Sequence, residues 1–137
     1  MANEATKITL LGNAGDPVEV TVVDGTAIPK GTIMTIDSSP QTATAADTDG
    51  DFIIGIASCE KKASDGVTKL ALWTHGVFDI TATAVTGSMT LGQPVKITGA
   101  NTVAPSDANT VEQSLENFGV ALETVAAGAV GAVLVHI

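Results

Sequence analysis

Short apolar runs separated by glycine and polar turns dominate the chain from residue 18 onward. Val18, Val20 and Val22 alternate with polar neighbours, which is typical of a strand with one buried face. Comparable short runs occupy 33–36, 52–59, 67–73, 76–81 and 132–137. We therefore expect an all-β fold, either a compact β-barrel or a β-sandwich with short turns and at most one or two short helices. Helix start signals are found over Ser106–Leu115, and the small, polar residues 37–51 predict a loop.

The pattern of these runs occurs twice. The segment Ile28–Ile36 is echoed by Met89–Ile97, with a glycine in the same place within each turn. Two further matched pairs follow in the same order, namely Phe52–Ala57 with Phe118–Ala121, and Leu70–Trp73 with Val130–Val135. The order of these matches predicts an internal duplication.

The chain has 137 residues, the size of one domain with its own hydrophobic core. We expect an N-terminal extended arm or first strand over 1–17 and a single β-rich domain over 18–137. Because aromatic residues make up only 3% of the chain, Val, Ile, Leu and Ala must build the core.

The charge and the apolar runs limit the class of partner. A net charge of −9 with only 6 Lys and Arg argues against nucleic acid, because phosphate binding needs clustered cations. The longest apolar run, from Val125 to the C-terminus, is broken by glycine and shorter than the roughly 18 residues of a membrane span. The first residues do not resemble a signal peptide, so we expect cytoplasmic synthesis, and the single Cys59 excludes an internal disulfide.

Two stretches resemble ligand-binding motifs. Gly25–Thr32 contains the residue types of a phosphate-binding loop, but Lys30 precedes Gly31 and Pro29 removes a backbone donor, which favours a simple turn. Asp47, Asp49 and Asp51 alternate as in a calcium loop, although the glycine and glutamate positions of an EF-hand do not match. Two interpretations of that segment stay open, a calcium-binding loop and a solvated acidic turn.

No catalytic or metal constellation emerges from the other reactive residues. His75, His136 and Cys59 lie far apart in the sequence without zinc-ligand spacing, and no Gly-x-Ser-x-Gly motif is present. We therefore expect no enzyme activity, cofactor or metal, with the histidines as polar loop and edge residues. Trp73 lies in a strand-like run, which favours a core or subunit contact.

Several short segments together resemble the small head decoration, or capsid cement, proteins of tailed double-stranded DNA viruses. The segments that carry the resemblance, in chain order, are Gly15–Val18, Gly31–Ile36, Gly55–Ala57, Gly76–Ile80, Leu91–Val95, Gly119–Leu122 and Gly131–Val135. The resemblance rests on the order of these segments, which together extend over most of the chain. The resemblance implies a β-rich structural virion protein, made in the host cytoplasm, that binds the major capsid protein on the outer capsid surface and stabilises the shell, commonly as a homotrimer.

Two other classes stay open. An adhesive or carbohydrate-binding β-module needs exposed aromatic side chains to contact its ligand, and such side chains are scarce in a chain with only 3% aromatic residues. A small hydrolase or isomerase with a site assembled across subunits needs a pocket in which titratable groups converge, and the scattered histidines and cysteine do not suggest one.

The N-terminal segment is the candidate for capsid contact. It contains Thr6, Ile8 and Leu10 at alternate positions and has no counterpart in the duplication. An extended arm could add to a sheet of the capsid protein, with these three residues as contacts. An ordinary first strand of the domain is the alternative.

Overall fold

The computed structural model describes residues 3–8, 17–84, 88–106 and 115–137. Within these ranges the secondary structure is almost entirely strand, which confirms the all-β prediction. The strands are β1 (Thr6–Lys7), β2 (Val18–Val22), β3 (Ile33–Ile36), β4 (Thr42–Ala45), β5 (Ile53–Ala57), β6 (Lys69–Trp73), β7 (His75–Ala82), β8 (Pro94–Gly99), β9 (Thr102–Pro105), β10 (Gly119–Ala121) and β11 (Val130–His136).

The first half of the chain forms a closed barrel, with the strand order β2-β4-β3-β5-β6. The contact between β2 and β4 is parallel, and the other four contacts are antiparallel. Small and branched aliphatic side chains fill most of the interior, among them Val22, Ala43 and Leu72, and Met34 joins them. This interior agrees with the core expected from a sequence poor in aromatic residues.

The second half forms a barrel of the same kind. Its sheet runs β1-β7-β11-β10-β8-β9, and an additional parallel pairing of β7 with β9 closes β7, β11, β10, β8 and β9 into a ring. The short β1 pairs with β7 beyond the end of β9, so the N-terminal strand belongs to the second barrel.

The two barrels are equivalent strand by strand, which supports the predicted duplication. β2 to β6 correspond in order to β7 to β11, and each pairing of the first barrel recurs in the second with the same direction. The turns agree in detail: the amides of Gly31 and Gly92 donate to the carbonyls of Ala57 and Ala121 over 2.8 Å, and both glycines adopt positive φ. Positive φ suits glycine, which explains the shared residue type in the two echoed segments.

Buried side chains join the two barrels. One hydrophobic cluster combines Ile33 and Ile56 of the first barrel with Phe78 and Val95 of the second. The side chain of Asn101, in the turn between β8 and β9, accepts a hydrogen bond from the Ile33 amide over 2.9 Å. Because the Ile33 amide is buried, this bond satisfies a donor that would otherwise lose water on burial.

Lys61 is a buried cation beside the first barrel, with only 1% of its surface exposed. Its ammonium donates to the carbonyls of Asp24, Lys62 and Thr26 over 2.7, 3.0 and 3.3 Å. It also lies 3.6 Å and 3.4 Å from carboxylate oxygens of Asp24 and Asp65. The equivalent position of the second barrel is Val125, because Lys61 bridges to Ile28 as Val125 bridges to Met89.

The predicted loop at 37–51 is wrong in part, because β4 lies inside it. The sequence Thr-Ala-Thr-Ala has small side chains and no strong apolar alternation, and its strand is defined by pairing with β2 and β3. The helix predicted over Ser106–Leu115 falls mainly on residues 107–114, which lie outside the described residues.

Candidate functional site

An apolar row crosses the outside of the second barrel. The Ile8 amide donates to the Val77 carbonyl over 2.8 Å, Val77 pairs with Leu134, and Leu134 pairs with Val120. Directly opposed residues of neighbouring strands present their side chains on one face of the sheet. The four aliphatic side chains therefore lie side by side, and each keeps some exposure to solvent.

The same face carries two more exposed apolar residues, beside Asp79 and Thr6, which also lie on it. Val130 and Leu134 alternate along β11 with the buried Gly131 and Val133, so both point outward. Val130 is 56% exposed, and Leu122, which follows β10, is 41% exposed. We call Ile8, Val77, Val120, Leu122, Val130 and Leu134 the outer patch.

The first barrel shows that the fold does not require this apolar character. Val130 occupies the position of Lys69, since each pairs with the equivalent threonine of the neighbouring strand. Leu122 occupies the position of Ser58, since each amide bonds to the equivalent alanine carbonyl. Leu122 and Val130 are thus apolar in the second barrel alone, whereas Leu134 and Val120 correspond to the apolar Trp73 and Ile56 of the first barrel. Exposed apolar patches often mark interaction surfaces.

The structure places two of the three predicted contact residues beside the outer patch. Thr6 is exposed and lies opposite Asp79, and Ile8 is 36% exposed and belongs to the patch. Leu10 lies outside the described residues. The buried Ala5 donates its amide to the Gly31 carbonyl over 2.7 Å, so residues 5–8 lie against the body of the protein. An arm formed by other residues of 1–17 stays a prediction.

Trp73 lies under two cations beside this N-terminal strand. The ammonium groups of Lys7 and Lys30 are 4.8 Å and 5.5 Å from the indole ring centroid, within the range of cation–π attraction. Phe78 packs beside the indole with the rings tilted by 51°, at 5.7 Å between centroids. The partly buried indole thus packs against the core and two lysines, which is unlike the open aromatic platform of a carbohydrate-binding module.

A second apolar area is a groove where the two barrels meet. Phe52, Leu115 and Ile137 are 53%, 62% and 48% exposed along its edges, with Phe118 buried at its floor. Its volume is about 210 Å³. We call it the end groove.

The two histidines lie opposite each other, although 61 positions separate them in the sequence. His75 at the start of β7 pairs with His136 at the end of β11, and both are exposed. Both are exposed polar residues at strand ends, and His75, expected in a turn, is the first residue of β7. The pairing of β7 with β11 brings them together, and sequence spacing carries no signal for it.

The two ligand-like motifs have structural explanations. The Gly31 amide, which a phosphate-binding loop would direct at phosphate, bonds to the Ala57 carbonyl. In the acidic turn, Asp49 lies 2.8 Å from the Lys96 ammonium, and Asp51 accepts the Asp47 amide over 3.2 Å. No group of three or more metal-ligating side chains occurs within the described ranges.

The sequence matches the phage cement proteins over residues 12–137. The chain belongs to the phage cement protein family. This is a structural family rather than an enzyme family, and its members are components of the phage head. No curated protein matches the sequence.

The fold of this cement protein is also similar to a solved phage structure. The base of the head fiber gp8.5 of bacteriophage phi29 superposes with a TM-score of 0.58 at 12% sequence identity. The match covers 87% of this chain and 92% of the other. At this identity the similarity concerns the fold alone. Among the described residues of the cement protein, no helix is long and apolar enough to cross a membrane.

Proposed function

We propose that this cement protein binds the major capsid protein on the outer surface of a phage head through the outer patch, and thereby stabilises the shell. The observation that carries the proposal is the exposed apolar surface on the second barrel, in which Val130 and Leu122 stand where the first barrel has Lys69 and Ser58. Membership of the phage cement family supports the same role.

The closure of both barrels favours side-chain contacts over strand addition. A closed barrel has no unpaired edge, so neither ring offers a long template for a strand of another protein. The free edge of β1 is two residues long. Affinity must then come mainly from apolar burial, and complete burial of an exposed aliphatic side chain is worth about 1.5 to 3 kcal/mol.

The net charge of −9 agrees with a position on the outside of the shell. A protein with few cations gains nothing from contact with packaged DNA, whose phosphates repel it. An acidic outward surface keeps decorated particles soluble and apart.

The experiment adds purified protein to expanded capsids that lack it and measures bound copies after sedimentation. Val130→Lys and Leu122→Ser convert two patch residues to their first-barrel equivalents. We expect each to weaken capsid binding by about tenfold or more, since a central apolar contact is lost or replaced by a charge. Val67→Lys is the matched control, because Val67 is a 43% exposed valine of the first barrel.

Two results would contradict the proposal. Unchanged binding of both patch variants excludes the outer patch as the contact. Wild-type binding with no rise in the temperature at which the capsids disassemble excludes the stabilising role.

We propose further that three chains associate on the capsid, as the family resemblance implies, with the end groove as their mutual contact. Its exposed Phe52, Leu115 and Ile137 offer a second apolar surface, where the two barrels meet. Cryo-electron microscopy of decorated capsids, with Phe52→Lys as the variant, tests this. Isolated single copies of the wild-type chain on the shell would refute it.

A further inference from the structure

We propose that His75 and His136 together bind a divalent transition-metal ion of the zinc class. This inference rests on the pairing of β7 with β11 and on imidazole chemistry, and its test uses the free chain. The pair neighbours Val77 and Leu134 of the outer patch, and His136 also lines the end groove.

The hydrogen bonds around the two histidines define their separation. The Ile137 amide donates to the Thr74 carbonyl over 3.0 Å, whereas the His136 amide donates away from β7, to the Phe118 carbonyl over 3.1 Å. His75 and His136 therefore form a non-hydrogen-bonded pair of the antiparallel ladder. In such pairs the Cα atoms are about 4.5 Å apart and the side chains approach most closely.

This geometry suits a shared metal ion. Both side chains project from the same face of the sheet and both are exposed, so solvent and ions reach them. Zinc binds imidazole nitrogen at about 2.0 to 2.1 Å. Two imidazole rings on neighbouring strands can both place a nitrogen at this distance from one ion that lies between them. Once one imidazole binds, the second binds the same ion intramolecularly, at a high effective concentration.

The ion would take two ligands from the described part of the chain. No cluster of three potential ligands exists there, so water or a group from another molecule completes the tetrahedral shell. The chain's net charge of −9 raises the local concentration of cations around the pair.

The test is calorimetric titration of Zn²⁺ into the full-length chain. It uses a Cys59→Ser background, because Cys59 is an exposed thiol that could bind zinc by itself. We expect one ion per chain, and a loss of at least about tenfold in affinity for His75→Ala and for His136→Ala. Asp79→Asn, on the same face of β7, should bind as the background does, because Asp79 is outside the pair.

A second measurement separates shared coordination from two independent sites. In nitrogen-15 spectra of the imidazoles, one equivalent of Zn²⁺ should shift both rings together, and either alanine substitution should abolish the shift of the remaining ring at that concentration. Circular dichroism verifies that each variant is folded, and His75→Gln replaces His75→Ala if the alanine variant unfolds. Equal affinity of the histidine variants and the background, or the absence of a one-to-one complex, would overturn the proposal.

Discussion

Replacement of Lys61 by methionine should strongly destabilise the protein. The ammonium is buried and donates to the carbonyls of Asp24, Lys62 and Thr26. Methionine keeps most of the apolar stem and removes the charge. The substitution therefore tests the polar contacts with little change in packing volume.

The magnitude follows from what the lost ammonium leaves behind. Breaking a buried ion pair by removing one partner costs about 3 to 5 kcal/mol. Here the carboxylates of Asp24 and Asp65 are 43% and 29% exposed, so water can solvate them when the cation is absent. The carbonyls that lose a donor add about 1 kcal/mol or more each where water cannot reach them. We expect a loss of about 3 kcal/mol in the free energy of unfolding.

Urea unfolding followed by circular dichroism measures this loss directly. The midpoint should fall with no change in the slope, and the melting temperature should drop by about 10 °C for a chain of this size. Lys69→Met is the matched control, because the Lys69 ammonium has an exposed hydrogen bond to the Thr21 hydroxyl and should contribute less than about 1 kcal/mol. A loss below about 1 kcal/mol for Lys61→Met, or equal losses for the two variants, would refute the reasoning.

Three further predictions concern local features of the fold. Gly31→Ala should cost at least about 1 kcal/mol more than Gly92→Ala in denaturant unfolding, because both glycines have positive φ but only at Gly31 would a Cβ meet the carbonyl of the N-terminal strand; equal losses would contradict this. The amide of Val67 and the nearby Lys61 lower the pKa of Asp65 below its usual 3.8, so its stabilisation is present above that pKa and lost as the pH falls through the folded-state value. Urea midpoints across the acid range should therefore depend less on pH for Asp65→Asn, and an unchanged acid profile would contradict the prediction. Asn101→Ala should lower the unfolding free energy by about 1 to 3 kcal/mol, because the buried Ile33 amide loses its acceptor. Asn101 has positive φ, so Asn101→Gly removes the same acceptor without the backbone strain of alanine and should cost nearly as much; a much smaller loss for Asn101→Gly would contradict the prediction.

The sequence predicts most of the strands because their apolar runs are local signals. β3, β5 and β11 coincide closely with β-branched runs, and the echoed segments align on the two equivalent glycine turns. β4 escapes prediction because Thr42–Ala45 has small side chains, and its conformation comes from strands on either side. Local propensity is weak for such a segment, and tertiary pairing decides its structure.

Only some residues of the outer patch can be predicted from the sequence. Ile8 can be singled out because its segment alternates and lies outside the duplication. Leu122 and Val130 cannot, since their proximity depends on the pairing of β10 with β11. The histidine pair cannot be predicted for the same reason, because its proximity depends on the pairing of β7 with β11, which come from opposite ends of the second half of the chain.

The position of β1 has a consequence for the order in which the protein can fold. All strands of the first barrel lie between residues 18 and 73, so that ring can close as soon as those residues have left the ribosome. Thr6, made earlier, has its partner at Asp79 in the second barrel. β1 is synthesised before the first barrel but must therefore wait for β7, and it then fastens the segment that precedes the first barrel to the second barrel.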